Sequence, residues 1–469
     1  MPQLSSRRRA LVLAVCCASI VVVVMDISIV NVALPAIRRD LRAAETGLQW
    51  TVDAYTLVLA GFLVPAGAAA DRFGRRRVFQ LGLAVFASGS LLCALAPGIG
   101  WLIAARAVQA AGGTMLNPVA LAIVATVFPE PAERARAVGV FGAMSGLALA
   151  LGPVLGGVLV DAFGWRAVFW VNVPIAAAAI AATALVVPES RAARPRRFDP
   201  VGQLLTVALL GCGVGAVIGS RPLGWTSPPV LALLAAAALA AAGLVRYEPR
   251  RAEPLLEPRL FRSVPFSGAI LMALGALCAF GAFLFVATQY LQEVRGMSAL
   301  GAGLCLVSVG VPVLVVSPLA GRWVGARGPR GPLVVAGAAL AAGGGAALLL
   351  GPDAPLPAVL AVLAPFGLFL GAVNPPITTT GVSGMPGSRA GTAAALVSSG
   401  RQAGTALGVA LAGTIAGGPA AGAAAFTRAA HGVWWLVIAI GAGIAALGLL
   451  CTGRRARATA ARAASPAET

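Results

Sequence analysis

The chain has 469 residues, 59% of them hydrophobic and only 11% charged, with 35 basic and 16 acidic side chains and a net charge of +19. A soluble domain carries about 25% charged residues, so this composition excludes a water-soluble fold of this size. The 58 Gly and 32 Pro are interleaved with Ala, Val and Leu and do not collect into linkers, a usage that membrane helices tolerate.

Every basic residue is Arg, and most of these arginines sit in short segments between apolar runs. That placement points to membrane topology, so we expect a lipid bilayer and no nucleic acid as partner. The seven cysteines (Cys16, Cys17, Cys93, Cys212, Cys278, Cys305 and Cys451) all fall inside apolar runs with no metal-site spacing. They read as small packing residues, with neither a disulfide framework nor a metal indicated.

A membrane span needs ~20 apolar residues. Fourteen candidates follow along the chain, at 10–34, 48–70, 78–97, 100–128, 137–160, 165–187, 200–220, 229–246, 266–291, 299–324, 332–351, 356–379, 391–417 and 432–452. The first follows three arginines, like a signal peptide, but it is longer than an h-region of 7–15 residues. We expect it to be a retained first helix. With a cytoplasmic N-terminus, and with the span-edge residues Arg166, Arg246 and Arg322 counted with their loops, the fourteen spans leave 26 arginines inside, 7 outside and 2 within spans, Arg106 and Arg401. This bias follows the positive-inside rule and puts both termini in the cytoplasm.

Helices 1–6 and 9–14 read as two related halves, with helices 7 and 8 as an inserted pair. The segment Gly67-Ala-Ala-Ala-Asp71-Arg72-Phe-Gly74-Arg75-Arg76-Arg77 after helix 2 has a weak counterpart after helix 10, Leu319-Ala-Gly321-Arg322-Trp-Val-Gly325-Ala-Arg327. Such repeats are common in secondary transporters. The expected fold is an all-α polytopic membrane protein. Its domains are an N-terminal six-helix bundle at 1–190, a linking region with helices 7 and 8 at 191–262, a C-terminal six-helix bundle at 263–453 and a basic cytoplasmic tail at 454–469.

An ionisable residue inside a membrane is a functional hypothesis by default. Helix 1 carries Asp26, helix 2 Asp53, helix 4 Arg106 and helix 13 Arg401. Counted from the helix ends, Asp26, Asp53 and Arg106 lie roughly 12, 8 and 9 Å deep in the outer half, so one cluster can form in which Arg106 offsets one or both acids. Alternatives stand beside each reading. Asp53 could be a solvated helix-start residue, Arg106 a structural partner of carbonyls, and Arg401 a cytoplasmic-side residue if its helix starts later.

At these residues the chain resembles the major facilitator superfamily, in particular its fourteen-helix drug:proton antiporter family. Helix 1 has Met25-Asp26-Ile-Ser-Ile-Val-Asn31-Val-Ala-Leu34-Pro35, helix 2 opens Gln49-Trp50-Thr-Val-Asp53-Ala-Tyr55, and helix 4 has Arg106-Ala-Val-Gln109-Ala-Ala-Gly112-Gly113. Helix 5 has Gly146-Leu-Ala-Leu-Ala-Leu-Gly152-Pro153-Val-Leu-Gly156-Gly157, similar to the antiporter motif. The resemblance implies a major facilitator fold of two six-helix bundles plus an inserted pair, and a proton-driven exporter of lipophilic or cationic small molecules. It implies no cofactor, no enzymatic activity, a monomer and the bacterial cytoplasmic membrane. Asp26, Asp53 and Arg106 would couple to protons or cations.

The resemblance also makes Gly67, Asp71, Arg72, Gly74, Arg75 and Arg76 a latch at the cytoplasmic gate, and makes the helix-5 glycines, with Pro153, a leak-limiting packing face. Packing alone also explains that face, and glycines at 67 and 74 suit a close backbone approach and a tight loop. Candidate cavity residues are Asn31, Trp50, Tyr55, Gln109, Gln289 and Asn374, with Phe280, Phe283, Phe285 and Phe366 an apolar cavity wall or, alternatively, lipid-facing or core residues. Helix 10 lacks the acid that some family members carry there. A transporter of an endogenous metabolite is the alternative function, and a membrane enzyme or receptor a remote one.

Overall fold

The computed structural model describes residues 5–192, 198–251, 260–383, 387–418, 422–453, 456 and 458–460. Most of the predicted basic tail, and Arg194, Arg196, Arg197 and Arg259 of the arginine count, lie outside these residues. The described chain is helical throughout. In order the long helices are α1 (Ser6–Leu41), α2 (Glu45–Phe73), α3 (Arg75–Ala94), α4 (Ile99–Val127), α5 (Pro131–Phe163), α6 (Ala167–Val186, with a turn at Val171), α7 (Pro200–Leu223) and α8 (Pro228–Tyr247). There follow α9 (Val264–Val294), α10 (Ala299–Arg327), α11 (Arg330–Ala347), α12 (Leu356–Val382), α13 (Gly387–Ala416) and α14 (Ala423–Cys451).

Twelve of them are long and apolar enough to cross a membrane. The two that fall short are α11 and α13. Gly337, Gly343, Gly344 and Gly345 dilute the hydropathy of α11, while Ser398, Ser399, Arg401 and Gln402 do the same in α13. The predicted pair α7 and α8 belongs to the twelve, and only 28% and 22% of their spans are buried against 72% for α9. They are therefore peripheral. Large apolar side chains point outward along the protein, among them Leu185, Leu239 and Leu349 at 78%, 73% and 86% exposure. In water such a surface would aggregate; in a bilayer it is solvated by lipid.

The sequence sets where helices begin and end. The Ser5, Asp199 and Ser263 side chains accept from the backbone N–H of Arg8, Gly202 and Phe266 at α1, α7 and α9, satisfying donors that the first helical turn leaves open. Gly74 ends α2 at φ +111° and Gly328 ends α10 at φ +82°, a backbone that favours glycine. The predicted counterpart segment 319–327 is therefore still helix, and the turn comes one residue after it.

The chain divides into two compact units, Met1–Phe198 with Ser298–Leu304, and Asp199–Met297 with Cys305–Thr469. The first unit holds α1–α6 around Tyr55, Phe79, Phe86 and Leu116. The second takes in the α7–α8 pair, which docks on α13 where Arg221 Nη1 donates to the Thr414 carbonyl (2.7 Å) and Thr414 Oγ1 to the Val217 carbonyl (2.9 Å). Its core is aromatic: Phe283 stacks on Phe366 at 4.0 Å, and Trp434 lies 6.2 Å beyond. Phe280, Phe283, Phe285 and Phe366 are all buried, so none faces lipid, and Phe283 and Phe366 line a cavity together with Trp434.

Candidate functional site

The densest polar cluster of the first unit is built on α1, α3, α4 and α6. Arg106 and Gln109 are one turn apart on α4 and share a face. Glycines bring α3 against that face: a Cβ on Gly89 would lie 2.7 Å from Gln109 Cβ, and one on Gly112 2.8 Å from Phe86 Cα. Neither helix could approach so closely with a larger residue at those points.

Within this frame Arg106 Nη1 is ion-paired with Asp26 Oδ2, both side chains being almost fully buried. The other carboxylate oxygen accepts from Gln109 Nε2 (2.8 Å) and Asn172 Nδ2 (3.1 Å). Arg106 also donates from Nε to the Thr51 carbonyl (3.1 Å) and from Nη1 to Gln109 Oε1 (2.6 Å). Ser90 Oγ accepts from Gln109 (2.7 Å) and Asn172 (3.4 Å). The Tyr55 ring lies under the guanidinium, 4.1 Å from Cζ, with Phe169 at 5.8 Å. The charge of each partner is thus met on several sides, the condition under which a buried pair is sustained.

Asp53 does not join this cluster. It is fully buried, and neither carboxyl oxygen has a hydrogen-bond partner among the described residues. Of the two acids Arg106 therefore offsets Asp26 alone, and it meets α2 at the Thr51 carbonyl instead. Depth itself is also revised, because α1 runs on to Leu41 and α2 starts at Glu45. Measured from those ends, Asp26 is roughly 22 Å along its helix and Asp53 roughly 12 Å.

The glycine-arginine segment is a compact turn between α2 and α3. Asp71 Oδ1 accepts from Arg75 Nη2 (3.0 Å), and Arg75 Nη1 reaches Thr126 Oγ1 (2.5 Å) and the Ala122 carbonyl (3.3 Å) of α4. Glu189, beyond α6, accepts from the Arg76 N–H (3.1 Å), and its other oxygen lies 3.7 Å from Arg77 Nε. Arg72 lies over the Phe73 ring. Gly74 is required by its φ. Gly67 is not required by close approach, since a Cβ there would meet only Pro118 Cβ at 4.0 Å, which corrects that part of the expectation.

On α5, a Cβ at Gly152 would lie 3.1 Å from Ser28 Cβ, and one at Gly156 3.3 Å from Ile29 Cα. These glycines let α1 and α5 touch along their backbones. Gly157 is against Leu300, and Asp161 accepts from the N–H groups of Ala299 (3.2 Å) and Leu300 (2.8 Å). Pro153 is buried in the same stretch, and Gly146 is half-buried about two turns before it.

Residues 16–409 match the sequence model of the Major Facilitator Superfamily. The chain belongs to this superfamily. It is 38% identical over 377 residues to the multidrug resistance protein Stp of Mycobacterium tuberculosis, covering 80% of this chain and 70% of that one. It is 37% identical over 385 residues to the tetracenomycin C resistance and export protein of Streptomyces glaucescens, covering 82% and 71%. With the puromycin resistance protein pur8 of Streptomyces alboniger it shares 37% over 405 residues, covering 83% and 78%. Among solved structures, a bacterial homolog of the human lysosomal transporter Spinster superposes with a TM-score of 0.65 at 17% identity, over 99% of this chain and all of that one; this likeness concerns the fold.

As a major facilitator, the protein is a multi-pass membrane transporter that handles small molecules and not an enzyme. Of the candidate cavity residues in this superfamily member, Tyr55 and Gln109 are part of the Arg106 network, Asn31 and Gln289 are buried, and Trp50 and Asn374 are half-buried. Asn31 Nδ2 donates to the Ile27 carbonyl at 2.8 Å. Sequence reasoning missed Ser90, Asn172 and Glu189. Asn172 stands alone in the apolar run 167–187, so an unpartnered amide in a span was the available signal; Glu189 lies in a loop and gave none.

Arg401 is resolved as a mid-helix residue. It is fourteen residues beyond the start of α13 at Gly387, so a later helix start does not explain it. Its Nη2 donates to Thr378 Oγ1 (2.7 Å) and the Asn374 carbonyl (3.4 Å), both on α12.

Proposed function

We propose that the protein is a proton-coupled antiporter of a bacterial cytoplasmic membrane that exports lipophilic small molecules, antibiotics and other drugs among them. The observation that carries the reading is the contrast between the two buried acids of the first unit. Asp26 has a cation and two amides around it, whereas neither carboxyl oxygen of Asp53 has a hydrogen-bond partner among the described residues. A buried carboxylate without a partner is costly, and the cost is removed by taking up a proton or by meeting a cationic substrate. Asp53 is thus the exchange site, and Asp26–Arg106 the pair that senses it through α2 at Thr51. The similarity to a multidrug resistance protein and to a resistance and export protein supports export.

In this reading all fourteen long helices cross the bilayer, α11 and α13 included, and both termini are cytoplasmic. The Asp71–Arg75 turn, held by Glu189, is the cytoplasmic latch, and the α5 glycines limit leak. The protein works as a monomer, with no cofactor and with the proton gradient as its energy source, by alternating access. The test uses everted membrane vesicles energised to an acid interior, with a pH-sensitive dye. Adding a transported drug from a panel of lipophilic dyes and antibiotics releases protons from vesicles with the wild-type protein and not from those with D53N. Proton uptake on adding substrate would mark a symporter and overturn the antiport reading, as would transport that persists undiminished when the gradient is dissipated. A response confined to cellular metabolites, with none to the panel, would move the assignment to an endogenous cargo.

A further inference from the structure

Arg401 is a charge midway along a helix of the second unit with no ion pair among the described residues. Arg401 lies midway along α13, and between residues 264 and 452 the only acids are Glu293 and Asp353. Glu293 belongs to the last turn of α9, and Asp353 precedes the start of α12 at Leu356. Thr378, which holds the guanidinium, is twenty-two residues further along α12, roughly 33 Å from that end. Among the described residues of α9–α14, no acid reaches Arg401.

The guanidinium is nevertheless positioned. A guanidinium offers five N–H donors. Here Nη2 is held by Thr378 Oγ1 and the Asn374 carbonyl, while Nε is buried without a hydrogen-bond partner. Beside it α12 carries Pro375 and Pro376, whose missing N–H groups loosen the helix locally. Thr378 and Thr379 are exposed and Arg401 and Gln402 half-buried, so the fork is reachable. A fixed fork with spare donors matches a planar oxyanion.

We propose that Arg401 is an anion subsite for substrate: it receives the carboxylate, phenolate or enolate of a lipophilic small molecule. The inference rests on the efflux reading for the word substrate, but binding at Arg401 requires no proton coupling. It gives the transporter two chemically opposite handles, Asp53 for cationic cargo in the first unit and Arg401 for acidic cargo in the second.

The test is equilibrium binding of radiolabelled 2-naphthoate and its neutral isostere 2-naphthamide to the purified full-length protein in lipid nanodiscs, with no proton gradient. The wild type binds naphthoate at least roughly tenfold more tightly than naphthamide, the worth of one charge-assisted hydrogen bond. In R401Q that ratio falls to about one, and R401K retains part of it because the charge remains without the fork. T378V keeps the charge but removes the hydroxyl that aims it, and lowers the ratio several-fold; it serves as well if R401Q does not yield folded protein. Equal binding of the two probes by the wild type overturns the proposal, and so does an R401Q protein that weakens both probes together and keeps their ratio. Failure of the antiport reading shows separately, as absent proton release in vesicles with the binding ratio intact.

Discussion

Replacing Asp26 by Asn tests whether the Asp26–Arg106 pair is one energetic unit. Asp26 gives one oxygen to Arg106 and the other to Gln109 and Asn172. Asparagine has a single acceptor oxygen, so its NH2 group must face either the guanidinium or the two amide donors. With both side chains almost fully buried, loss of one member leaves a charge uncompensated, which costs roughly 3–5 kcal/mol. Arg106→Gln leaves Asp26 in the same position and costs a similar amount. Independent sites would give the double variant roughly 6–10 kcal/mol by addition, whereas a single unit gives it no more than either single change, a coupling of about 3 kcal/mol or more. Reversible unfolding in mixed detergent micelles, followed by circular dichroism for the four proteins of the cycle, measures this. Additivity within about 0.5 kcal/mol would refute the pairing. D26N also abolishes proton-driven efflux, even under conditions where the variant is folded and present in the membrane.

Asp53→Asn is expected to behave in the opposite way. It removes a carboxylate that has no hydrogen-bond partner among the described residues, so stability is unchanged or rises by on the order of 1 kcal/mol, while substrate-driven proton release is lost; a stability loss as large as that of D26N would show that Asp53 has a partner after all. Gly74→Ala forces an L-residue to φ +111° and sets its Cβ 2.7 Å from Glu189 Oε1, costing on the order of 1–3 kcal/mol in the same unfolding assay. Gly67→Ala has open space around it and is neutral or stabilising by up to about 1 kcal/mol; equal damage from both changes would contradict the local geometry. Gly152→Ala drives a methyl group into Ser28 and separates α1 from α5, lowering thermal stability, and Ser28→Ala in the same chain recovers part of the loss. Absence of any recovery would place the strain elsewhere.

The sequence by itself determined the class and where the helices lie. A bilayer selects on side-chain hydropathy over a single segment, and hydropathy is a local property, so spans could be read off without knowing what they pack against. The same locality made Asp26, Asp53, Arg106 and Arg401 visible, because an ionisable residue in an apolar run stands out wherever its helix ends up. Local reading placed helices at 332–351 and 391–417 as well, where α11 and α13 form, but glycines and polar residues thin their apolar signal and they are not among the twelve apolar enough to span.

What only the tertiary structure decided is which groups meet. The azimuth of each helix set Arg106 toward Asp26 and left Asp53 alone, and the approach of α3 and α4 through Gly89 and Gly112 brought Gln109 to Ser90. Asn172 and Glu189 entered their clusters from far along the chain. Packing also told Gly74, needed for its φ, from Gly67, which is not, and gave Arg401 its place against Thr378. Such pairings depend on rotations and close contacts between helices distant in sequence, and no periodicity or composition encodes those one segment at a time.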